Sequence, residues 1–295
     1  MDTSAIIRRL RTLAGRTALG DGHVDIPHLG LISSAVTHRL HAVSLSRSAL
    51  FVILKGSKSV VRGNERTVLK AGEAFLCPAR MEITVENCTD GTGGGYIALC
   101  LTYDEETIGR MAARETGPTP PAFSLETLKT PCSPLVEASL DHLLLMAAAD
   151  PGNEGLLALC REELLLLTAG GTGRLPLLWD AASTWGARCA RLIGMEPGRG
   201  WNAEAVAARL GASERSLRRH LSREGTSLTD VLREVRLNSG LALLQTGHVT
   251  VGEAAYRCGY NSASRFAGLF RERFGVSPSR VARYNAVLGP PLAGS

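Results

Sequence analysis

No run of apolar residues is long enough to span a bilayer, so no transmembrane helix is expected. The opening residues, MDTSAIIRRLRTLAGR, put no long apolar stretch behind the basic ones. They do not read as a secretory signal, and the expected location is the cytoplasm. The seven cysteines (77, 88, 100, 132, 160, 189 and 258) stand singly, with no CxxC pair and no Cys/His cluster. That excludes a disulfide framework and a zinc site, and leaves buried, reduced thiols as the plain reading. GxSxG, HExxH and GxxxxGK[ST] are also missing, and the histidines show no ligand spacing. No catalytic residue, metal or cofactor is expected, and the chain does not read as an enzyme.

What is present is a folded chain with an uneven charge. Its 295 residues exceed what one ordinary core needs, so two domains are expected; 44% hydrophobic and 21% charged residues are normal for a globular protein. From Ser183 to Tyr284 there are 16 arginines, no lysine and eight acidic residues, a net of +8. The whole chain is +5, so the rest is −3. A basic C-terminal segment on a mildly acidic body fits a module that binds phosphates.

Residues from about 30 to 102 read as short strands. The apolar run Ala49–Leu54 is followed by Lys58–Arg62, Arg66–Leu69, Glu73–Cys77, Glu82–Glu86 and Tyr96–Leu101, with turn residues between. This spacing predicts an antiparallel sandwich or barrel, with the Gly-rich stretch Asp90–Gly95 as a hairpin loop. Five prolines in 117–134 predict a connector. Leucine-dense helices follow near Leu135–Ala149 and Asn153–Ala169, apolar over so much of their circumference that burial on two sides is expected. One side would meet the strands, and the other a second copy of the chain or simply more of the same core. Gly170–Gly173 reads as a flexible joint.

The C-terminal segment repeats itself. Ala207 and Gly211 recur as Ala255 and Gly259; Ser213, Leu217 and Leu221 recur as Ser262, Phe266 and Phe270. Each set describes a helix-turn-helix. A small residue allows close crossing, glycine ends the first helix, serine caps the second, and two apolar residues four apart are buried. The exposed stripe of the first second-helix is Arg215, Arg218, Arg219 and Ser222, with Arg223 beside it. Arginine grips guanine O6 and N7 with two hydrogen bonds in a major groove. The corresponding stripe of the second unit, Ser264, Arg265, Gly268 and Arg271, holds fewer side chains able to reach a base and suits phosphate contacts and DNA shape. Leu228–Leu244 predicts a long helix joining the two units, which would let one monomer enter two major-groove segments about 34 Å apart.

These residues resemble the AraC/XylS DNA-binding domain. The matching string runs from Arg236-Leu237, Gly240-Leu241 and Leu244 through Val251, Glu253-Ala254-Ala255, Gly259-Tyr260, Ser262, Phe266 and Phe270 to Phe274-Gly275 and Ser277-Pro278. The resemblance implies a bacterial regulator of promoter DNA, usually an activator, working with RNA polymerase. It also implies that Arg215, Arg218 and Arg219, and Ser264, Arg265 and Gly268, face bases; Gly268 departs from the long polar residue common there. Phe51–Gly56 with Leu69–Phe75 is similar to the cupin-like sensor domain of such regulators. The metal-binding His-x-His is absent, since His38 and His41 would face opposite sides of a strand. Cys160–Leu167 resembles the dimerisation-helix region of stress and virulence regulators, including activators of type III secretion.

The expected fold is therefore α+β. A cupin-like β-barrel with two trailing helices precedes an all-α domain with two helix-turn-helix units. The expected divisions are a sensor domain at 1–134, a dimerisation region and linker at 135–173, and a DNA-binding domain at 174–295 with units near 203–223 and 251–272. The expected partners are double-stranded promoter DNA, RNA polymerase, a second copy of the chain, and a small effector or regulatory protein at the sensor domain, with no membrane. An enzyme carrying a DNA-targeting module, or a protein-binding adaptor, are the competing readings.

Overall fold

The computed structural model describes residues 3–16, 28–91, 95–115, 124–246 and 249–284. The chain opens with helix α1 (Thr3–Arg16), which the sequence reading did not anticipate. Its Ile6 and Leu10 are buried, and Arg9 pairs with Asp141.

The strands come next: β1 (Leu29–Ser34), β2 (His38–Val43), β3 (Ser48–Lys55), β4 (Ser57–Arg62), β5 (Glu65–Lys70), β6 (Glu73–Cys77), β7 (Ile83–Cys88) and β8 (Tyr96–Tyr103). After helix α2 (Glu105–Ala112) comes a ninth strand, β9 (Lys129–Pro131). They form two antiparallel sheets, ordered β1-β8-β3-β6-β9 and β2-β7-β4-β5. The sheets stay separate, so of the two closures the spacing allowed, the chain adopts the open sandwich and not a closed barrel. β3 explains its own continuous apolar run: it is central in its sheet and buried along almost its whole length.

Two local expectations change. The glycine-rich Asp90–Gly95 is not a hairpin loop, because β7 and β8 lie in different sheets and the segment crosses between them; residues 92–94 lie outside the described residues. The proline-rich connector contains an element after all. β9 adds to the edge of β6, where Pro131 at the strand end is tolerated because an edge strand leaves one side unpaired.

Helices α3 (Pro134–Ala149) and α4 (Glu154–Ala169) pack against each other. Ser133 caps α3, whose Pro134 occupies the first turn, and Asn153 caps α4. Gly170–Gly173 is a hydrogen-bonded turn and not a loose joint. The Gly173 N–H donates to Glu115 at 3.0 Å, and Arg174 donates to the carbonyls of Thr168 and Lys129. Helix α5 (Arg174–Ser183) therefore lies back on α2, with Trp179 over Gly109.

The remaining chain is helical: α6 (Trp185–Met195), α7 (Ala203–Arg209), α8 (Glu214–Arg223), α9 (Leu228–Thr246), α10 (Val251–Arg257), α11 (Ala263–Phe274) and α12 (Pro278–Ala282). Its apolar interior divides. The first unit, with Ile193, Trp201, Val206, Leu217, Leu221 and Val235, has a core of its own. Phe266, Phe270 and Phe274 of the second unit join the apolar core that runs through the sandwich. No helix among the described residues is long and apolar enough to cross a membrane.

Candidate nucleic-acid interface and sensor cavity

Helices α7 and α8 form one helix-turn-helix, and α10 and α11 another. In the first, Ala207 is buried, Gly211 takes φ +69, and Ser213 Oγ accepts the Ser216 N–H at 3.2 Å. In the second, Ala255 is buried, Gly259 takes φ +79, and Ser262 Oγ accepts the Arg265 N–H at 3.2 Å. Both glycines sit in the left-handed region that side chains resist, so their recurrence at equal spacing marks the same turn twice. Leu217 and Leu221, like Phe266 and Phe270, are fully or almost fully buried beneath their helices.

Those buried pairs decide what faces outward. Arg215, Arg218, Arg219, Ser222 and Arg223 are all exposed on α8. Arg218 donates to Glu214 one turn earlier at 3.0 Å, an exposed pair worth well under 1 kcal/mol and easily exchanged for a phosphate or base. Arg215, Arg219 and Arg223 make no ion pair among the described residues. On α11, Ser264, Arg265, Gly268 and Arg271 are exposed. A Cβ on Gly268 would meet nothing within 4 Å, so packing does not require glycine there. Helix α9 runs between the units and buries Val231 and Val235 toward the first, and Leu241 and Leu244 toward the second.

The same helix is clasped by the sandwich. Glu234 accepts from the Ser44 hydroxyl at 2.8 Å and from Arg80 at 2.8 Å. Asn238 accepts the Ser44 N–H at 3.1 Å and donates back to the Ser44 hydroxyl at 3.2 Å. Arg80 holds φ +57, unusual for a side-chain-bearing residue, and lies so close over α6 that a Cβ at Gly186 would stand 1.9 Å from its guanidinium. Farther along, Arg273 reaches Glu82 at 3.1 Å, Arg191 pairs with Glu105, the Ala35 N–H donates to the Tyr284 carbonyl at 3.0 Å, and His38 stacks on the Tyr284 ring at 4.4 Å.

Between the sheets lies a cavity of about 350 Å³. Leu40, Phe51, Val60, Phe75, Ile83 and Val85 make it apolar, and Asn238, Leu241, Ala242 and Gln245 of α9 form part of its wall. One buried cation enters it. Lys58 Nζ donates to Asn87 Oδ1 at 2.6 Å and sits 5.5 Å from the ring centres of Phe51 and Tyr96. Burial pushes its ammonium down to about 8. Asn87, directly opposite both Lys58 and His38 in the ladders, donates in turn to His38 Nε2 at 3.2 Å. Burial also lowers the His38 pKa, which favours the neutral ring that accepts this bond. Lys58, Asn87, Glu234 and Asn238 are not among the site residues expected from the sequence. A signal existed for the first: Lys58 shares its strand face with the apolar Val60, so a charged residue stands where the alternation calls for an apolar one. Among the described residues no group of histidines, cysteines and acids is arranged to hold a metal.

Two family models match this chain: the AraC-type transcriptional regulator N-terminus over residues 25–167, and a helix-turn-helix domain over 206–284. Together they span most of its length. It is 35% identical over 89 residues to the urease operon transcriptional activator of Escherichia coli, a stretch covering 30% of each protein. It is 29% identical over 127 residues to the regulator YdeO of Escherichia coli K12, covering 41% of this chain and 50% of that one. The matches thus span half or less of those regulators' lengths. Over most of its length the fold is similar to ToxT of Vibrio cholerae: TM-score 0.60 at 14% identity over 86% of this chain and 96% of that one. ToxT bound to an unsaturated fatty acid gives 0.55 at 17% over 87% and 94%. These families and relatives are regulators, not enzymes, which removes the reading of an enzyme with a DNA-targeting module. The chain belongs to the AraC/XylS family, as a DNA-binding transcriptional regulator with an N-terminal regulatory domain.

Proposed function

We propose that this protein activates transcription by reading promoter DNA with two recognition helices, under the control of its N-terminal domain. The carrying observation is the arginine face of α8, held outward by the buried Leu217 and Leu221 and repeated in weaker form on α11. In this reading Arg215, Arg218, Arg219, Ser222 and Arg223 contact bases and phosphates in one major groove. Ser264, Arg265, Gly268 and Arg271 approach the next, mainly through phosphates and shape. Residues 1–134 sense a small effector or a partner protein, 135–173 mediate homodimerisation, and 174–295 bind DNA. The protein works in the cytoplasm and recruits RNA polymerase.

Support for dimerisation lies on α3 and α4, where Leu135, Leu145, Leu159 and Leu166 are 44–67% exposed. Exposed leucines on two helices that pack against each other offer apolar surface for a second copy to cover. Support for a small effector is the apolar cavity, together with the fatty acid bound by the structurally similar ToxT. The deciding experiment incubates the purified full chain with fragmented genomic DNA and sequences what is retained. Discrete sites holding two short elements about one helical turn apart are expected. Retention without preferred sites would overturn the reading.

A further inference from the structure

We infer that Glu224 and Trp185 are positioning residues for the first recognition helix: they clamp the C-terminal end of α8 onto the N-terminus of α6, and so set how Arg215 and Arg219 enter the major groove. This rests on the DNA-reading role proposed above and names residues that sharpen it.

The core leaves α8 one freedom. The helix has 10 residues and is a rod of about 15 Å. Leu217 and Leu221 bury one stripe of it, which fixes the face turned outward. Two side chains one turn apart hold the ends of the rod poorly, since a swing of about 10° about them carries an end by roughly 1 Å. A paired arginine contact to guanine is lost over such a distance, while a phosphate contact tolerates it.

The clamp removes that freedom. Glu224 caps the C-terminus of α8, and its two carboxylate oxygens accept the Trp185 and Gly186 N–H groups, each at 2.8 Å. Those N–H groups open α6 and have no acceptor within that helix, so a carboxylate there satisfies both and meets the positive end of the helix dipole. One turn earlier on α8, His220 lies flat on the Trp185 ring, with centroids 4.4 Å apart and planes 11° apart. The Arg188 guanidinium stands 4.5 Å from the centre of the same ring, so Trp185 ties a residue of its own helix to one of α8. Two hydrogen bonds to adjacent N–H groups resist a sideways swing, and a flat ring stack resists a tilt. The seat is firm because Ile193 of α6 lies in the core of the first unit beside Leu217 and Leu221.

The sandwich bears on the clamp as well. A Cβ at Gly186 would stand 1.9 Å from the Arg80 guanidinium and 3.1 Å from the Glu224 carboxylate, so both groups crowd a position that lacks a side chain. Arg80 also pairs with Glu234 of α9. The N-terminal domain therefore touches the seat of α8 directly.

Competition binding on the full-length protein tests this, using a retained genomic site, its single-base variants and a scrambled duplex of equal length. Trp185→Ala changes no charge, so it is expected to bind scrambled DNA as the parent does. Its preference for site over scrambled DNA should fall about tenfold, because the arginines still meet phosphates but no longer meet bases squarely. The loss should be confined to one of the two elements, the one whose base ranking Arg219→Ala also relaxes. Glu224→Ala is expected to show the same pattern. Trp185→Phe, which keeps a ring to stack, and Glu224→Gln, which keeps an oxygen to accept, should recover part of the preference. If the parent prefers its site and all four variants keep its base ranking, the inference falls and the DNA reading stands. Weakening shared equally by both elements and by scrambled DNA would show a general loss of structure and would also overturn it. A parent with no preference between site and scrambled DNA would sink the DNA reading, and this inference with it.

Discussion

At Lys58 a charge has been carried into an apolar interior, and its cost should be measurable. The ordinary lysine value is 10.5 and burial lowers it to about 8, so between those pH values the unfolded chain holds a proton that the folded chain has released. Stability therefore rises with pH across that window, and below pH 8 the full cost, about 3 kcal/mol, is present. Cys77 and Cys100, raised by burial from 9 to about 12, act in the opposite sense above pH 9. Comparing Lys58→Met with the parent removes their effect. The stability advantage of the variant should shrink as pH rises from 8 toward 10.5 in denaturant titrations; a constant gap would contradict it. Arg219 belongs to the other end of the molecule. Arg219→Ala should cost about 1–3 kcal/mol of specific DNA binding and relax preference at one base pair. Affinities for a set of single-base operator variants test this, and an unchanged ranking would sink the base contact. The two residues differ in legibility. Arg219 could be picked out because helical spacing puts it opposite Leu217 and Leu221. Lys58 showed in the sequence only as a break in the strand alternation, and its pairing was hidden because Asn87 is 29 residues away and only strand pairing brings them together.

Among the elements, α3 and α4 were readable as helices. Ser133 and Asn153 are capping residues in front of dense leucine, and Pro134 suits a first helical turn. What the leucines do was less readable, since an apolar circumference does not say which neighbour covers which side. Leu140, Leu143, Leu157 and Leu164 went inward, while Leu159 and Leu166 remain in solvent. Leu159→Asp with Leu166→Asp should convert the proposed dimer to a monomer in sedimentation experiments, with the unfolding temperature of the monomer little changed because neither side chain is buried within the chain. Dimers that survive would place the interface elsewhere. The Gly-rich segment before β8 misled for a related reason. Glycines between two strands usually mean a hairpin, but that inference presumes the strands pair, and β7 and β8 pair in separate sheets. Helix α1 went unseen because its apolar face consists of few residues and is completed by α3 and β3.

The whole molecule couples its halves unevenly. The first helix-turn-helix has its own core, while the second shares the apolar core of the sandwich, and Glu234 ties Ser44 and Arg80 to the helix between them. Glu234→Ala should destabilise the chain by about 1–3 kcal/mol, since it leaves the largely buried Arg80 guanidinium unpaired. Faster hydrogen exchange confined to α9 and the facing loops would locate the loss there, and unchanged exchange would show that the clasp carries no energy. At longer range the +8 segment should release counterions from DNA. Log affinity should then fall linearly with log salt, with a slope of about −5 to −9 if six to ten phosphates are contacted. A flat salt response would argue against DNA as the partner.

Local spacing alone determined the helix-turn-helix repeat, the basic face and the strand-rich first half. Caps, glycine turns and periodicity act between residues close in sequence, and the energies that set them are local. The clasp on α9, the lysine-bearing cavity and the separation of the two sheets were decided only in the tertiary structure. Each depends on contacts between residues distant along the chain, such as Ser44 with Asn238, and no pattern within a single segment specifies which distant partner it will meet.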